Sequence, residues 1–194
     1  MPLVIRLAAE HDAEQIQAIY ALVVRGAAIS FELEPPTVSQ MRQRIIKTLE
    51  RLPWVVCEQS GEILGYAYAS PHRTRAAYQW SVDVSAYVHV HNRRSGVGRA
   101  AYDALFKILA MQGFYNAYAG ITLPNPASVG LHESMGFHPV GVYRSVGYKL
   151  GSWHDVGWWH LVLREPILPP EPIADLGDVL KMKEVDAILD HPAC

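Results

Sequence analysis

The chain has 194 residues, of which 50% are hydrophobic and 19% charged, with a formal net charge of -2 at pH 7. That length buries one sizeable core without promising two, and a near-neutral charge with no concentrated basic stripe argues against nucleic acid as the main partner. No run of about 18 apolar residues occurs and MPLVIRLAAE lacks a charged-then-apolar leader, so no membrane span is expected, and a cytoplasmic protein with a small acidic or neutral partner molecule is.

VIRLA reads as a short strand. Asp12, with Gln15 three residues on, predicts a capping box that opens an apolar-periodic helix running to about Ala27. After the irregular ISFELEPP, Thr37 and Gln40 repeat the capping pattern. They open a helix with Met41, Ile45, Ile46 and Leu49 on one side, ending before Pro53. WVVCEQ and EILGYAYAS flank Ser60-Gly61 as a hairpin, and the polar and aromatic loop PHRTRAAYQW leads to another strand, SVDVSAYVHV. Beyond a glycine loop, VGRAAYDALFKILAMQ is helical to Gly113 and NAYAGITL is a strand. PASVGLHESM is a short helix closed by Gly136, and two more strands end near Leu163. The order describes a mixed α/β domain.

From Glu165 the composition turns to PILPPEP, a proline-rich connector. Residues 1–165 are therefore expected to form the domain and 166–194 a tail outside the main fold. The tail reads as either surface chain or a short helix packed on the domain or on a partner subunit. Cys57, inside an apolar run, reads as a core residue. With Cys194 at the last position it forms the pattern of neither a disulfide scaffold nor a zinc site.

HNRRSGVGRA, residues 91–100, sits where a strand runs into a helix. Glycines there let the backbone approach a ligand closely, and the exposed N–H groups of the helix start favour negative charge, so phosphate or pyrophosphate is the natural occupant. Two familiar phosphate loops are set aside, because there is no Gly-Lys-Ser/Thr ending and no third glycine at the dinucleotide spacing. The competing reading is a glycine-rich turn with solvated arginines.

Arg93, Gly96 and Gly98 match the R/Q-x-x-G-x-G/A loop that cradles the pyrophosphate of acetyl-CoA in the GNAT superfamily of N-acetyltransferases. The chain resembles that family from about residue 3 to residue 163. TLPNPASVGLHESMGFHPVG resembles the family's second cofactor segment. YKLGSWHDVGWW, with the R-x-x-Y-x-W loop of Arg75, Tyr78 and Trp80, resembles the phosphinothricin and methionine sulfone or sulfoximine N-acetyltransferases. The resemblance implies the GNAT fold, a mixed but mostly antiparallel central sheet flanked by helices, and acetyl-CoA as cosubstrate. It also implies direct transfer of acetyl to the α-amine of a small amino-acid analogue. A different small amine, a protein amine, or an acyl-CoA-binding sensor without turnover remain as other readings. A homodimer is expected, with Trp153, Trp158 and Trp159 as core or dimer contacts.

Amine attack on a thioester needs a neutral amine, a donor for the carbonyl oxygen as it gains charge, and stabilisation of the departing thiolate. By the resemblance, Ala86, Tyr87 and Val88 line the cofactor arm and the Val88 N–H polarises the thioester carbonyl. Arg93, Arg94, Ser95, Gly96, Val97, Gly98 and Arg99 form the pyrophosphate loop. Asn125 reaches the pantetheine, or else caps the short helix.

Where relatives carry a glutamate that deprotonates the amine, this chain has Asp83. That aspartate acts through a water, yields the role to another group, or is a plain strand carboxylate. His132, seven residues after Asn125, is expected to transfer a proton, the alternative being a hydrogen-bonded structural residue. Phe31, Arg75 and Tyr78 are expected to form the acceptor pocket, with aromatic walls and a guanidinium for a carboxylate. His89, His91, His138, His154 and His160 show no metal spacing, so no metal is expected.

Overall fold

The computed structural model describes residues 2–189, so Cys194 lies outside the described residues. Seven strands form one sheet in the order β1-β2-β3-β4-β5-β7-β6. β1 (Val4–Leu7), β2 (Trp54–Gln59), β3 (Glu62–Pro71) and β4 (Ser81–Val88) run antiparallel to one another. β5 (Asn116–Leu123) lies parallel to β4, and beyond it come β7 (Ser152–Val162) and β6 (His138–Lys149), again antiparallel. The expected mixed, mostly antiparallel sheet is what forms.

Helices cover both faces. Ile16 and Tyr20 of α1 (Ala13–Gly26) and Met41 and Ile45 of α2 (Val38–Leu49) pack on Trp54, Val56 and Tyr66. On the opposite face Ala101, Leu105 and Ile108 of α3 (Val97–Gln112) pack on Val55, Ala67, Val82 and Val84. α4 (Pro126–Ser134) joins that second face through His132, whose ring meets Tyr102 of α3. Because successive strand residues point to opposite faces, burial of Val82 and Val84 under α3 turns Asp83, Ser85 and Tyr87 toward α1 and α2.

The strand pair at the centre is incomplete. β4 and β5 are each eight residues long, yet they pair only over Ser81↔Asn116, Val82↔Ala117 and Asp83↔Tyr118. Past Asp83 the two strands part while β4 stays bonded to β3 as far as Val88.

Local chemistry explains the helix starts. Thr37 and Gln40 form the expected reciprocal box at α2, the Thr37 hydroxyl accepting from the Gln40 N–H and the Gln40 carbonyl oxygen from the Thr37 N–H. The box expected at Asp12 and Gln15 does not form. Asp12 instead accepts two bonds from Arg6, at 2.7 and 2.8 Å, and one from the Ala9 N–H at 2.7 Å, while Gln15 reaches across to Gly61 and Ile63. A guanidinium that also binds Glu58 competes for the carboxylate more strongly than a helix N–H does.

The segment after Glu165, expected outside the main fold, contributes to it. Leu176 and Val179 of α5 (Leu176–Val179) and Val185 of α6 (Lys183–Leu189) are buried in the cluster beneath α3, and the Ala174 N–H bonds Gln112. This is the packed-helix alternative. No helix among the described residues is long and apolar enough to cross a membrane.

Burial alone would raise the Asp12 carboxyl, but Arg6 and the Ala9 N–H hold it below the usual carboxylate range. Its stabilising effect is therefore complete above about pH 4 and fades as pH falls below that. Asp12→Asn should cost about 2 kcal/mol of unfolding free energy at pH 7, the scale of hydrogen bonds to a charged partner. Denaturant titrations should show that difference shrinking once the wild-type carboxyl is protonated.

Candidate active site

The gap between β4 and β5 is where backbone polarity is unspent. In an antiparallel pair, residues alternate between those that bond the neighbour and those that face away. His89 N–H donates to Leu64 O, and the register Gly65↔Val88, Tyr66↔Tyr87 continues the alternation down the strands. Asp83, Ser85 and Tyr87 thus direct their backbone to β3, whereas Val84, Ala86 and Val88 turn theirs the other way: the Val84 N–H completes the last bridge to β5, and Ala86 and Val88 face the gap beyond it. Ala86, Tyr87 and Asn125 line this gap together with Gly120, Tyr102 and His132.

One mouth of the gap meets the glycine loop. Arg94 and Gly96 both adopt left-handed backbone, at φ 63° and 86°, and no side chain caps the start of α3 at Val97. A Cβ on Gly98 would lie 3.3 Å from Leu131 and 3.4 Å from Val88, so its absence lets the helix start sit close to β4 and α4. Arg93 and Arg94 are exposed and make no side-chain bond among the described residues, Arg99 bonds Ser134, and the Ser95 hydroxyl closes the turn on Asn92 O. Uncapped N–H groups, a helix dipole and free guanidinium groups together favour a phosphate-bearing ligand.

On this α3 side the polar groups are turned inward. Asn125 accepts from the Ser128 N–H, which is its cap role, while still lining the gap. His132 is buried, its Nδ1 donating to Ser128 O at 2.7 Å and its Nε2 3.0 Å from the Tyr102 hydroxyl. Since a carbonyl only accepts, the proton sits on Nδ1 and Tyr102 donates to Nε2. Burial lowers the imidazole below its usual range, partly offset by the bond to Ser128, and leaves it neutral at pH 7. The proton-transfer role expected of His132 finds both nitrogens already occupied.

Asp83 stands on the other face. Its carboxylate is 2.6 Å from His72 Nδ1, and burial raises it above the usual aspartate range against the lowering effect of His72. The His72 ring stacks on Tyr118 with centroids 4.4 Å apart and meets Tyr78 at 6.0 Å and Trp158 at 6.2 Å edge-on. Trp158 Nε1 is buried without a partner. Tyr78 thus joins this cluster, and Arg75 begins the same short turn with an exposed guanidinium that makes no bond among the described residues. Phe31 lies apart from them, its ring against Gly147 and near His154 on the β6–β7 hairpin. Trp159 is core, Trp153 is exposed at the hairpin, and Trp158 belongs to the His72 wall.

His72, Tyr118 and Trp158 are the members of this cluster that sequence reasoning did not select. His72 lay inside a loop whose polar residues looked equivalent. Only the β3–β4 register, Ser70↔Asp83, brings it beside the carboxylate, and an alternation count along both strands was the available signal.

Residues 5–158 match the family model described as the acetyltransferase (GNAT) domain. Phosphinothricin N-acetyltransferase of Streptomyces viridochromogenes is 37% identical over 178 residues, covering 92% of this chain and 97% of that protein. The L-methionine sulfoximine/L-methionine sulfone acetyltransferase of Salmonella typhimurium is 31% identical, covering 85% of this chain and 97% of its own. A phosphinothricin acetyltransferase of Sinorhizobium meliloti, solved with acetyl-CoA, superposes with a TM-score of 0.82 at 30% identity, covering 91% of this chain and 99% of that one.

His132→Ala strands Ser128 O and the Tyr102 hydroxyl in a buried site. It should lower unfolding free energy by about 3 kcal/mol, from two unmade hydrogen bonds and a small cavity. Activity per folded molecule should keep the wild-type pH dependence. A 100-fold fall in kcat at unchanged Tm would instead give His132 a direct part in proton transfer.

Proposed function

The chain belongs to the GNAT acetyltransferase family and is an acetyl-CoA-dependent N-acetyltransferase, and on that premise we propose that its acceptor is the α-amine of a small amino-acid analogue. Phosphinothricin, methionine sulfoximine and methionine sulfone are the acceptors its relatives' names support. The observation that carries the reading is the β4–β5 gap, with an anion-favouring helix start at one side and a carboxylate with a free guanidinium at the other.

In this proposal Arg93, Arg94 and the first N–H groups of α3 hold the pyrophosphate of acetyl-CoA, with Ser95 to Arg99 shaping the turn. Ala86 and Tyr87 flank the pantetheine arm. The Val88 N–H, turned into the gap, donates to the thioester oxygen as it gains charge, a contribution of roughly 100 to 1,000-fold in rate for one such donor. Arg75 takes the acceptor carboxylate, with Tyr78 as one aromatic wall and Phe31 approaching from the hairpin side. The neutral amine attacks the carbonyl carbon directly. We take the reaction to be cytoplasmic. Exposed Val142, Tyr143, Tyr148 and Trp153 on the β6–β7 hairpin, the last two with their rings in contact, support a homodimer, since exposed apolar side chains gathered on one hairpin are surface an interface would bury.

Release of free thiol from acetyl-CoA, measured across a panel of amines, tests the acceptor. Phosphinothricin, methionine sulfoximine and methionine sulfone should give the highest kcat/KM; activity confined to protein lysines or N-termini would overturn the assignment.

Gly96→Val tests the loop. A β-branched residue at φ 86° is strained by about 1–3 kcal/mol even with open space around its Cβ, so the turn should relax away from its phosphate-binding form. Calorimetry should show coenzyme A affinity reduced at least tenfold in a variant that remains folded.

A further inference from the structure

We infer that His72 is the general base toward the acceptor ammonium and that Asp83 is the positioning residue that holds it, an inference resting on the acetyltransferase reading above. Three observations carry it. Asp83 Oδ1 and His72 Nδ1 are 2.6 Å apart, so this carboxylate is already engaged by an imidazole. Nε2 of the same ring makes no hydrogen bond among the described residues, and the His72 side chain retains 13% exposure, so one nitrogen is oriented and the other is available. Finally, Asp83 and His72 occupy the α1/α2 face, whereas His132 lies on the α3 face beside the pyrophosphate loop.

The ring is held as a base must be. It is stacked on Tyr118 from β5 and flanked edge-on by Trp158 from β7. The charged and titratable groups around it are Asp83 from β4, Arg73 from its own segment, Tyr78 from the turn that follows, and Tyr118 with His160 stacked behind it. Arg73 leans over Trp158 at 5.8 Å, leaving Asp83 as the one anion in that set. Asp83 accepts the Nδ1 proton, which selects the tautomer with a lone pair on Nε2. This is the arrangement of a nucleophile-activating base oriented by a third group. The aspartate length fits it: an extra methylene would drive the carboxylate into the ring it now meets at hydrogen-bond distance.

The protons balance. The first leaves the substrate ammonium for His72 Nε2 and passes to water. The neutral amine then forms the C–N bond. Collapse of the tetrahedral adduct breaks the C–S bond, and the second nitrogen proton leaves with the thiolate as coenzyme A thiol. No oxidant, metal or further reactant enters.

The test uses the full chain and whichever primary amine the wild type acetylates fastest, so a wrong acceptor class changes the amine and leaves the test standing. His72→Gln should bind acetyl-CoA with wild-type affinity, keep its Tm within a few degrees and lose roughly 100-fold in kcat at neutral pH, the usual scale for a general base. That loss should shrink as rising pH deprotonates the amine without help. Added imidazole should restore part of the activity of His72→Ala, and Asp83→Asn should lower kcat more than it changes KM. A folded His72→Gln within threefold of wild type at every pH overturns the inference. So does a loss in both His72 variants that neither pH nor imidazole relieves, or failure of both to fold, because each describes a structural histidine.

Discussion

Everything at this site depends on three residues of parallel pairing that go no further. Ser81, Val82 and Asp83 join β4 to β5, and beyond the Val84 N–H that closes the last bridge β4 has a partner on one side only. A strand edge inside a sheet is normally costly, because buried N–H and C=O groups without partners lose free energy. Here the edge faces a gap rather than packed protein. The same feature leaves the donors of Ala86 and Val88 open to the gap, through which the proposed acetyl-CoA arm would run. It also makes Asp83, the last paired residue, the boundary between scaffold and site.

The gap divides the chemistry between two faces. On the α3 side, the glycine loop and helix start offer positive potential, and the buried polar residues Asn125 and His132 spend their bonds on Ser128 and Tyr102, stiffening the wall of the gap. On the other side, His72 and Asp83 sit among Tyr118, Trp158 and Tyr78, with Trp158 Nε1 buried and unmatched. A group that must exchange protons needs a nitrogen left uncommitted, and a group that supports a wall needs none. By that criterion the geometry fits His72, rather than His132, to the inferred proton transfer.

Much of the fold was legible because its signals are local. Thr37 with Gln40 is a complete cap in itself, and the strand-loop-helix around Gly96 and Gly98 is written in consecutive residues. Where the reading departed from the structure, a distant partner intervened. Asp12 had the spacing of a cap, but Arg6 and Glu58 bring a charge network that composition does not reveal. The tail after Glu165 looked separable from its prolines, yet Leu176, Val179 and Val185 supply a patch of apolar surface that α3 was missing. His72 was hidden for the same reason, since only a paired register makes it a neighbour of Asp83.

The placement of these residues also bears on how such a site tolerates change. Asp83 and Tyr118 lie on strands whose register is set by the buried alternation of Val82, Val84, Ala117 and Ala119, so their positions cannot drift without disturbing the core. Arg75, Tyr78 and Phe31 lie on connecting segments, are exposed, and have few fixed bonds. Loops accept substitution and insertion more readily than the elements they join. With Asp83 fixed in the sheet to hold the inferred base, and the proposed recognition residues on loops, the acceptor could change while the anchor of that base stays in register, because the two draw on different parts of the chain and different sources of rigidity.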